Sequence, residues 1–284
     1  MPSGLDHSRR QALLDGVEAI GQAVLAIYRR DFAVQHKADD SPLTEADLLA
    51  HRRLLALLDE LTPDIPVLSE ESANVPWAER RQWVRYWLVD PIDGTKEFVN
   101  RNGEFTLNVA LIEGGMPVFG IVHAPVLSIT WWGEGGKGAW KRHTAEDRQA
   151  PDTAIRVRSL PDPAVEPWVV VGSRLHGAQA FETFCRYLPG HRRATMGSSL
   201  KLCLVAEGAA DLYPRLAPTS EWDTAAAHAV VLAAGGEVCN MNTLDPLRYN
   251  TRESLANPNF IVFAQRDARW IDALARMHAP PASR

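Results

Sequence analysis

The segment WLVDPIDGTKEF, residues 87–98, places two aspartates three positions apart at the end of an apolar run. The apolar run predicts a strand that enters the core, and carboxylates at the end of a buried strand are costly unless a cation neutralises them. Pro91 restricts the backbone between the aspartates to an extended turn. We therefore expect Asp90, Asp93 and the carbonyl of Ile92 to converge on one cation.

The residues that follow, Gly94 and Thr95, predict the first turn of a short helix. Glycine allows a ligand close to the backbone, and the unpaired N–H groups at a helix start favour an anion such as phosphate. Mg²⁺ binds oxygen ligands and often shares them between a few carboxylates and a substrate phosphate. The segment thus indicates metal-assisted phosphate chemistry. The alternatives are a turn with two solvated aspartates and, for Thr95, a role in helix capping alone.

Four further carboxylates lie at or near the ends of predicted elements: Asp47, Glu70, Glu71 and Asp223. Functional groups gather at such positions. Asp47 has a second interpretation, because Thr44 and Asp47 have the spacing of a helix capping box. A zinc site is disfavoured, since the nine histidines show no paired ligand spacing.

The composition is that of an ordinary globular protein, with 46% hydrophobic and 23% charged residues in 284. A net charge of −5 does not support nucleic-acid binding. It permits an anionic small substrate if metal ions lie between the substrate and the carboxylates. The three cysteines form no CxxC pair and indicate reduced, mostly buried thiols.

We see no secretory signal and no apolar run near the ~18 residues that a membrane span requires. These features predict a cytoplasmic protein with no transmembrane segment. Peripheral association with the inner membrane, and the choice between monomer and homodimer, stay open.

The pattern of apolar residues divides the chain into an α+β half, residues 1–150, and an α/β half, residues 151–284. The first half begins with amphipathic helices over residues 8–30 and 44–61, packed on one face of a largely antiparallel sheet. In the second half we expect strands at residues 168–172, 237–239 and 260–264, and helices at 178–187, 198–207 and 223–234.

Three separated segments resemble the magnesium-dependent, lithium-sensitive phosphatases of the inositol monophosphatase superfamily: SEES (69–72), WLVDPIDGTKEF (87–98) and EWDTAA (221–226). Four others resemble its 3′(2′),5′-bisphosphate nucleotidase branch: HKADDSPLTEAD (36–47), RNGEFTLNVALIEGGMPVFGIVHAP (101–125), GSSLKLCLVAEGAADLYPR (197–215) and YNTRESLANPNF (249–260). The resemblance implies a layered αβαβα sandwich. It also implies hydrolysis of adenosine 3′,5′-bisphosphate, a by-product of sulfate assimilation and sulfotransfer, to AMP and phosphate. Some members also act on the sulfated precursor nucleotide.

The resemblance implies two or three Mg²⁺ ions held by Glu70, Asp90, the Ile92 carbonyl, Asp93 and Asp223. Asp47 and Thr95 would orient and deprotonate the attacking water, with Glu71 in support. We assign one ion to Glu70, Asp90 and the Ile92 carbonyl, and another to Asp90, Asp93 and Asp223. The implied substrate-binding residues are Glu70, Ile92, Asp93, Gly94, Thr95, Gly197, Ser198, Lys201 and Asp223.

Lys201 is expected in the first turn of a helix, where a basic side chain opposes the helix dipole. This placement favours a ligand role, and we expect Lys201 to contact the non-scissile phosphate or the ribose. The alternative is a solvated lysine. Arg252 and Glu221 are weaker candidates for the same pocket.

Two departures from the family pattern stand out: Ala227 occupies a position where the family usually has glycine, and the segment after Gly133 matches poorly. A sister phosphatase acting on inositol monophosphate or a sugar bisphosphate would show similar metal motifs. GSSLK and TRESLANP favour the nucleotidase. The third alternative is a non-catalytic metal- or nucleotide-sensing protein, but no metal carboxylate is missing and Thr95 is present.

Overall fold

The computed structural model describes residues 5–36, 42–144, 151–173 and 178–278. Its first layer consists of α1 (His7–Tyr28) and α2 (Glu45–Leu61). A small antiparallel pair of strands, β1 (Val34–His36) and β2 (Pro42–Thr44), precedes α2. The predicted capping box is confirmed, because Thr44 and Asp47 satisfy each other's free N–H groups at the start of α2.

The second layer is a seven-stranded sheet in simple sequence order. Its strands are β3 (Val67–Ser69), β4 (Arg85–Asp93), β5 (Thr106–Glu113), β6 (Met116–Ala124), β7 (Ile129–Glu134), β8 (Gly138–His143) and β9 (Thr153–Ile155). Two short helices lie between these strands, α3 (Trp77–Arg80) and α4 (Thr95–Val99). Only β3 and β4 run parallel among the described pairs of this sheet, so the prediction of a largely antiparallel sheet is confirmed.

A five-stranded mixed sheet follows, with the order β11-β10-β12-β14-β13. Its strands are β10 (Trp168–Gly172), β11 (His191–Thr195), β12 (Leu212–Arg215), β13 (Glu237–Asn240) and β14 (Phe260–Phe263). The accompanying helices are α5 (Ala178–Tyr187), α6 (Leu200–Ala206), α7 (Ala225–Ala233) and α8 (Ala268–His278).

Three apolar cores hold these elements as an αβαβα sandwich, as predicted. One core lies between α1–α2 and the seven-stranded sheet, and it contains Trp87 and Val89. The middle core contains Leu88, α6 and α7 and lies between the two sheets. The third packs α5 and α8 on the outer face of the five-stranded sheet. Side chains of β4 alternate between the first two cores, as expected for a strand buried on both faces.

Glycines in the seven-stranded sheet let α7 approach closely. A Cβ built on Gly120 would lie 2.2 Å from the Ala226 carbonyl oxygen, and one on Gly133 would lie 2.9 Å from Val230 Cα. Ala227 is buried within α7, which keeps a regular helical span. The helix that carries this departure from the family pattern therefore still packs on the sheet.

The structure corrects two predicted helix starts. The predicted helix at 198–207 begins at Leu200, because Ser198 adopts φ 52°. The predicted helix at 223–234 is a 3₁₀ turn, Glu221–Asp223, followed by α7. The boundary between the halves at residues 150 and 151 stays a prediction.

Two further predictions can be compared with the structure. The three cysteines are buried and free, as expected. None of the helices in the described ranges is long and apolar enough to cross a bilayer.

Candidate metal and phosphate site

A β-bulge brings the two aspartates of β4 to the same face of the sheet. Asp90 pairs with Asn108 and Asp93 pairs with Thr106, so β4 has one residue more than β5 between these pairs. In a regular strand, residues three apart point to opposite faces. The extra residue shifts the alternation of side chains between the two faces, so that Asp90 and Asp93 share one face. Ile92 packs into the core next to α1 and α2, and the aspartates turn to the other face.

Asp223 completes a cluster of three carboxylates. One oxygen each from Asp90, Asp93 and Asp223 lies within 4.8 Å of the others. Asp223 closes the 3₁₀ turn, where its Oδ2 accepts a 2.9 Å hydrogen bond from the Ser220 N–H. Glu70 lines the same cavity of about 560 Å³, together with Ile92 and Thr95. The sequence-predicted ligands from both halves of the chain are therefore brought together.

The electrostatics of the cluster fit a multivalent cation. Burial, followed by the charges of Glu70, Asp93 and Asp223, raises the pKa of Asp90 well above its usual range. Burial and the Asp93 charge also raise the pKa of Asp223 to about 8. Asp90 is 1% exposed, and its Oδ1 accepts no hydrogen bond from the described residues. A divalent cation would satisfy this oxygen and remove the repulsion.

The loop that precedes α6 holds one oxygen of Asp93. The Ser198 hydroxyl and the Ser199 N–H each donate to Asp93 Oδ2 over 2.5 Å. Thr106 Oγ1 lies 2.6 Å from Ser198 Oγ, and Ser199 Oγ donates to Asn108 Oδ1 over 3.0 Å. These bonds fix the position of Asp93 and occupy the Ser198 hydroxyl, which we had expected to contact substrate.

Thr106 and Asn108 were not anticipated as part of the site. Both are buried polar residues in a strand that is otherwise largely apolar. Buried polar groups require partners, so their presence in the segment TLNVALIE was the available signal.

Asp47 and Thr95 form the predicted pair. Thr95 Oγ1 lies 3.2 Å from Asp47 Oδ1 and 3.2 Å from the Ile92 carbonyl oxygen. The other oxygen of Asp47 accepts bonds from the N–H and the hydroxyl of Thr44 over 2.8 and 2.6 Å. Burial raises the pKa of Asp47, the Thr44 bonds oppose this shift, and the charge of Glu71 adds to it. The capping interpretation and the contact with Thr95 both hold.

Two glycines give the site its close backbone approaches. Gly94 has φ 91° at the start of α4, and a Cβ there would lie 3.2 Å from the Glu104 carbonyl oxygen. A Cβ on Gly197 would lie 2.9 Å from Glu104 Cβ, and the Gly197 N–H donates to Glu104 Oε2 over 2.7 Å. Glu104 thus lies against both predicted phosphate-binding and substrate-binding loops.

Lys201 is 4% exposed, so the solvated-lysine alternative is wrong. Its ammonium donates to the carbonyl oxygens of Met196 and Ser198 over 3.2 and 2.5 Å. It lines a cavity of about 130 Å³ that also contains Asp93 and Asp223. Burial lowers the pKa of Lys201 to about 8, and the charge of Asp93 opposes this shift.

Arg215 is a second cation at the site and was missed in the sequence. It lines both cavities, and its guanidinium donates to the carbonyl oxygens of Ala217 and Pro218 over 3.0 and 2.9 Å. Within the described chain, the one sequence feature that could have identified Arg215 is its position at the end of the short strand β12.

The two weaker candidates lie elsewhere. Glu221 and Arg252 line a separate cavity of about 390 Å³. Burial raises the pKa of Glu221 to about 7, although the hydrogen bond from the Asn250 N–H lowers it. Among the tryptophans, Trp131 and Trp132 are buried in the cores, whereas Trp222 lines the metal cavity.

Residues 37–41 of the motif-bearing segment 36–47 lie outside the described residues.

Comparison with known proteins gives matches over most of the chain. A model of the inositol monophosphatase family matches residues 7–274. The chain is 49% identical over 246 residues to the 3′(2′),5′-bisphosphate nucleotidase CysQ of Salmonella typhimurium, covering 85% of this chain and 94% of the relative. It is 47% identical over 244 residues to CysQ of Escherichia coli K12, with the same coverage.

The solved structures agree as well. CysQ of Bacteroides thetaiotaomicron, described as a bacterial member of the inositol monophosphatase family, superposes with a TM-score of 0.79 at 40% identity, over 92% of this chain and 99% of that one. An IMPase from Thermotoga maritima shares the fold with a TM-score of 0.74 at 24% identity, over 95% and 98% of the two chains. The chain therefore belongs to the inositol monophosphatase family.

Proposed function

We propose that the protein is a Mg²⁺-dependent 3′(2′),5′-bisphosphate nucleotidase that hydrolyses adenosine 3′,5′-bisphosphate to AMP and phosphate. The observation that carries the proposal is the cluster of Asp90, Asp93 and Asp223 beside the Asp47–Thr95 pair. The names of the similar CysQ proteins support the substrate class. The sulfated precursor nucleotide has the same 3′-phosphate and is a candidate second substrate.

Glu70, Asp90, the Ile92 carbonyl, Asp93 and Asp223 would hold Mg²⁺ in two or three positions. When bound, Mg²⁺ supplies activation of a water molecule and neutralisation of the phosphoryl charge. The donor set is entirely oxygen, which is the ligand type that Mg²⁺ prefers. The buried Asp90 Oδ1, which accepts no hydrogen bond from the described part of the chain, provides the strongest support for a bound cation.

Asp47 and Thr95 would remove the proton from the attacking water. The Thr95 hydroxyl can accept a hydrogen bond from water while it donates to Asp47 Oδ1. Burial and the Glu71 charge raise the pKa of Asp47, which makes its carboxylate a stronger base. The proton would therefore pass from water to the threonine hydroxyl as the hydroxyl proton passes to Asp47.

Gly94 and Thr95 would hold the scissile phosphate through backbone N–H groups, because Gly94 carries no side chain to block the approach. The phosphoryl group would then lie between this turn and the carboxylate cluster. Water, rather than a protein side chain, is the proposed nucleophile.

The second phosphate of the substrate is assigned to the two cations beside the cluster, Lys201 and Arg215. The Gly197–Ser198 turn would shape this subsite, since Lys201 donates to the Ser198 carbonyl. Two cationic side chains next to the metal ligands suit a substrate with a phosphate that is not cleaved. This feature favours the nucleotide over inositol monophosphate, the main alternative substrate. A sugar bisphosphate would also satisfy the charges.

A non-catalytic sensing role is disfavoured because Asp90, Asp93 and Asp223 cluster beside the hydrogen-bonded Asp47–Thr95 pair, as a catalytic site would require. We propose a cytoplasmic location, in line with three free and buried cysteines. The proposal holds equally for a monomer and for a homodimer.

The test follows adenosine 3′,5′-bisphosphate by ³¹P NMR with Mg²⁺ and, separately, with EDTA. We expect the 3′-phosphate resonance to be replaced by that of free phosphate while the 5′-phosphate remains, only when Mg²⁺ is present. Added Li⁺ should slow the reaction. Loss of the 5′-phosphate, or an equal rate in EDTA, would overturn the proposal.

A further inference from the structure

Arg80, at the end of α3, is a buried cation that contacts the C-terminal part of the chain. It is 3% exposed and stacks over the ring of Trp77, with 4.8 Å between Cζ and the ring centroid. Its guanidinium donates to Asn250 Oδ1 over 2.7 Å and to the carbonyl oxygens of Arg252 and Glu253. These three acceptors are uncharged: one side-chain amide oxygen and two backbone carbonyl oxygens.

Asn250 makes the contact reciprocal. Its side-chain amide donates to the Arg80 carbonyl oxygen over 2.6 Å, and its own backbone adopts φ 52°. The Asn250 N–H in turn donates to Glu221 Oε2 over 2.8 Å. A three-residue chain of hydrogen bonds, which we call the Arg80 clamp, therefore runs from Arg80 through Asn250 to Glu221.

The clamp ends on the 3₁₀ turn that carries Asp223. Glu221 begins this turn and Asp223 closes it. The segment after Asn250 also wraps the turn, because the Glu221 N–H donates to the Leu255 carbonyl oxygen over 2.8 Å and the Asn257 side chain donates to the Ser220 carbonyl oxygen over 2.7 Å.

The other end of the clamp is joined to the remaining metal ligands. α3 lies in the chain between the 3₁₀ turn Glu70–Ser72 and strand β4, which ends at Asp93. Glu70 and Asp90 come from these flanking segments, whereas Asp223 comes from more than 100 residues further along the chain. The metal cluster therefore depends on how accurately the turn around Asp223 is held against the first part of the chain.

We propose that Arg80 is a positioning residue of the metal site: through Asn250 and Glu221 it keeps Asp223 within reach of Asp90 and Asp93. The inference rests on the Mg²⁺ site proposed above. Partners that orient metal ligands typically contribute about 10- to 100-fold to metal affinity. We expect the clamp to contribute at the lower end of this range, because it acts through the backbone of the turn.

The experiment measures thermal unfolding of the substrate-free protein as Mg²⁺ is added, and takes the Mg²⁺ concentration at half-maximal stabilisation. Arg80→Met keeps the aliphatic stem over Trp77 and removes the guanidinium. Asn250→Gly keeps the positive φ and the N–H to Glu221, but removes both side-chain bonds. We expect the Mg²⁺ midpoint to rise about tenfold in Arg80→Met and about threefold or more in Asn250→Gly.

Two control variants separate positioning from general stability. Arg81→Met removes the exposed neighbouring arginine and should leave both the unfolding temperature and the Mg²⁺ midpoint unchanged. Arg158→Met breaks the ion pair with buried Asp211, the residue that directly precedes β12. It should lower the unfolding temperature in EDTA while leaving the Mg²⁺ midpoint within about twofold of wild type.

The Mg²⁺ midpoint of the double variant and the kcat of Asn250→Gly provide two further readouts. Because both residues act in one clamp, Arg80→Met with Asn250→Gly should raise the midpoint by less than the product of the single effects. Excess Mg²⁺ should restore kcat in Asn250→Gly. If Mg²⁺ stabilises the wild type, and folded Asn250→Gly and Arg80→Met proteins have the same Mg²⁺ midpoint as the wild type, the inference is overturned. No stabilisation of the wild type by Mg²⁺ would overturn the metal site itself.

Discussion

The backbone N–H of Ser199 donates to Asp93 Oδ2 over 2.5 Å, joining residues that are 106 positions apart in the chain. This bond connects the loop before α6 to a proposed metal ligand at the end of β4. The Ser198 hydroxyl makes a second bond to the same oxygen. Substrate binding at this loop and metal binding at Asp93 are therefore expected to affect each other.

Asp93→Asn should reduce kcat by about a thousandfold or more, because a neutral amide holds a divalent cation poorly and several kcal/mol of transition-state stabilisation are lost. The measurement is kcat at saturating Mg²⁺. Asp59→Asn, which makes the same change at an exposed position in α2, should keep wild-type activity. An Asp93→Asn enzyme with a third of wild-type activity would contradict the assignment.

Thr95→Val should lower kcat by about a hundredfold, because it keeps the shape of the side chain but cannot pass a proton between water and Asp47. Thr95→Ser retains the hydroxyl and should keep most of the activity. The unfolding temperature of both variants serves as the check for a role in helix capping. If valine and serine reduce kcat equally, the hydroxyl has no part in the reaction.

Lys201→Ala should raise KM for adenosine 3′,5′-bisphosphate about tenfold or more, and should leave KM for adenosine 3′-monophosphate nearly unchanged. The reason is that the ammonium is proposed to contact the phosphate that is not cleaved, and a bond to a charged group contributes about 1.5–3 kcal/mol. Steady-state kinetics with both nucleotides measure the difference. Equal increases in KM, or none, would exclude this contact.

The pH dependence of KM gives an independent test of Lys201. Burial lowers the pKa of Lys201 to about 8, so the ammonium loses its proton as the pH rises through that value. KM for the bisphosphate should therefore increase above about pH 8 in the wild type. In Lys201→Arg, whose side chain stays protonated, this increase should be absent. A wild-type KM that is constant from pH 7 to about pH 9.5 would contradict the contact.

Gly120→Ala should destabilise the fold by about 1–3 kcal/mol, because the added methyl would lie 2.2 Å from the Ala226 carbonyl oxygen in α7. Urea unfolding measures the change. Gly135→Ala adds the same methyl at an exposed position whose nearest neighbour, the Val118 carbonyl oxygen, is 3.6 Å away. Equal stability of the two variants would show that α7 can move away from the sheet without cost.

Local patterns in the sequence predicted most of the elements around the site. The Thr44–Asp47 capping box and the apolar run before Asp90 have strong short-range signals, and both are present in the structure. β11 was missed because it is an edge strand whose arginines are exposed, so its sequence lacks an apolar pattern. It is a strand because it pairs with β10. β12 was missed because it is four residues long and contains Pro214.

The arrangement of the site was harder to predict than its residue types. The bulge between Asp90 and Asp93 depends on the register between β4 and β5, which no local pattern specifies. The bonds from Ser198 and Ser199 to Asp93 and the Arg80 clamp join distant parts of the chain. Only the buried polar residues Thr106 and Asn108 carried a signal of such contacts in the sequence.

The central claim is tested most directly by kcat/KM for adenosine 3′,5′-bisphosphate, inositol 1-phosphate and fructose 1,6-bisphosphate, each with Mg²⁺. We predict that the nucleotide has the highest kcat/KM, and that EDTA abolishes and Li⁺ inhibits its hydrolysis. Faster hydrolysis of inositol 1-phosphate or of fructose 1,6-bisphosphate than of the nucleotide would contradict the proposed function.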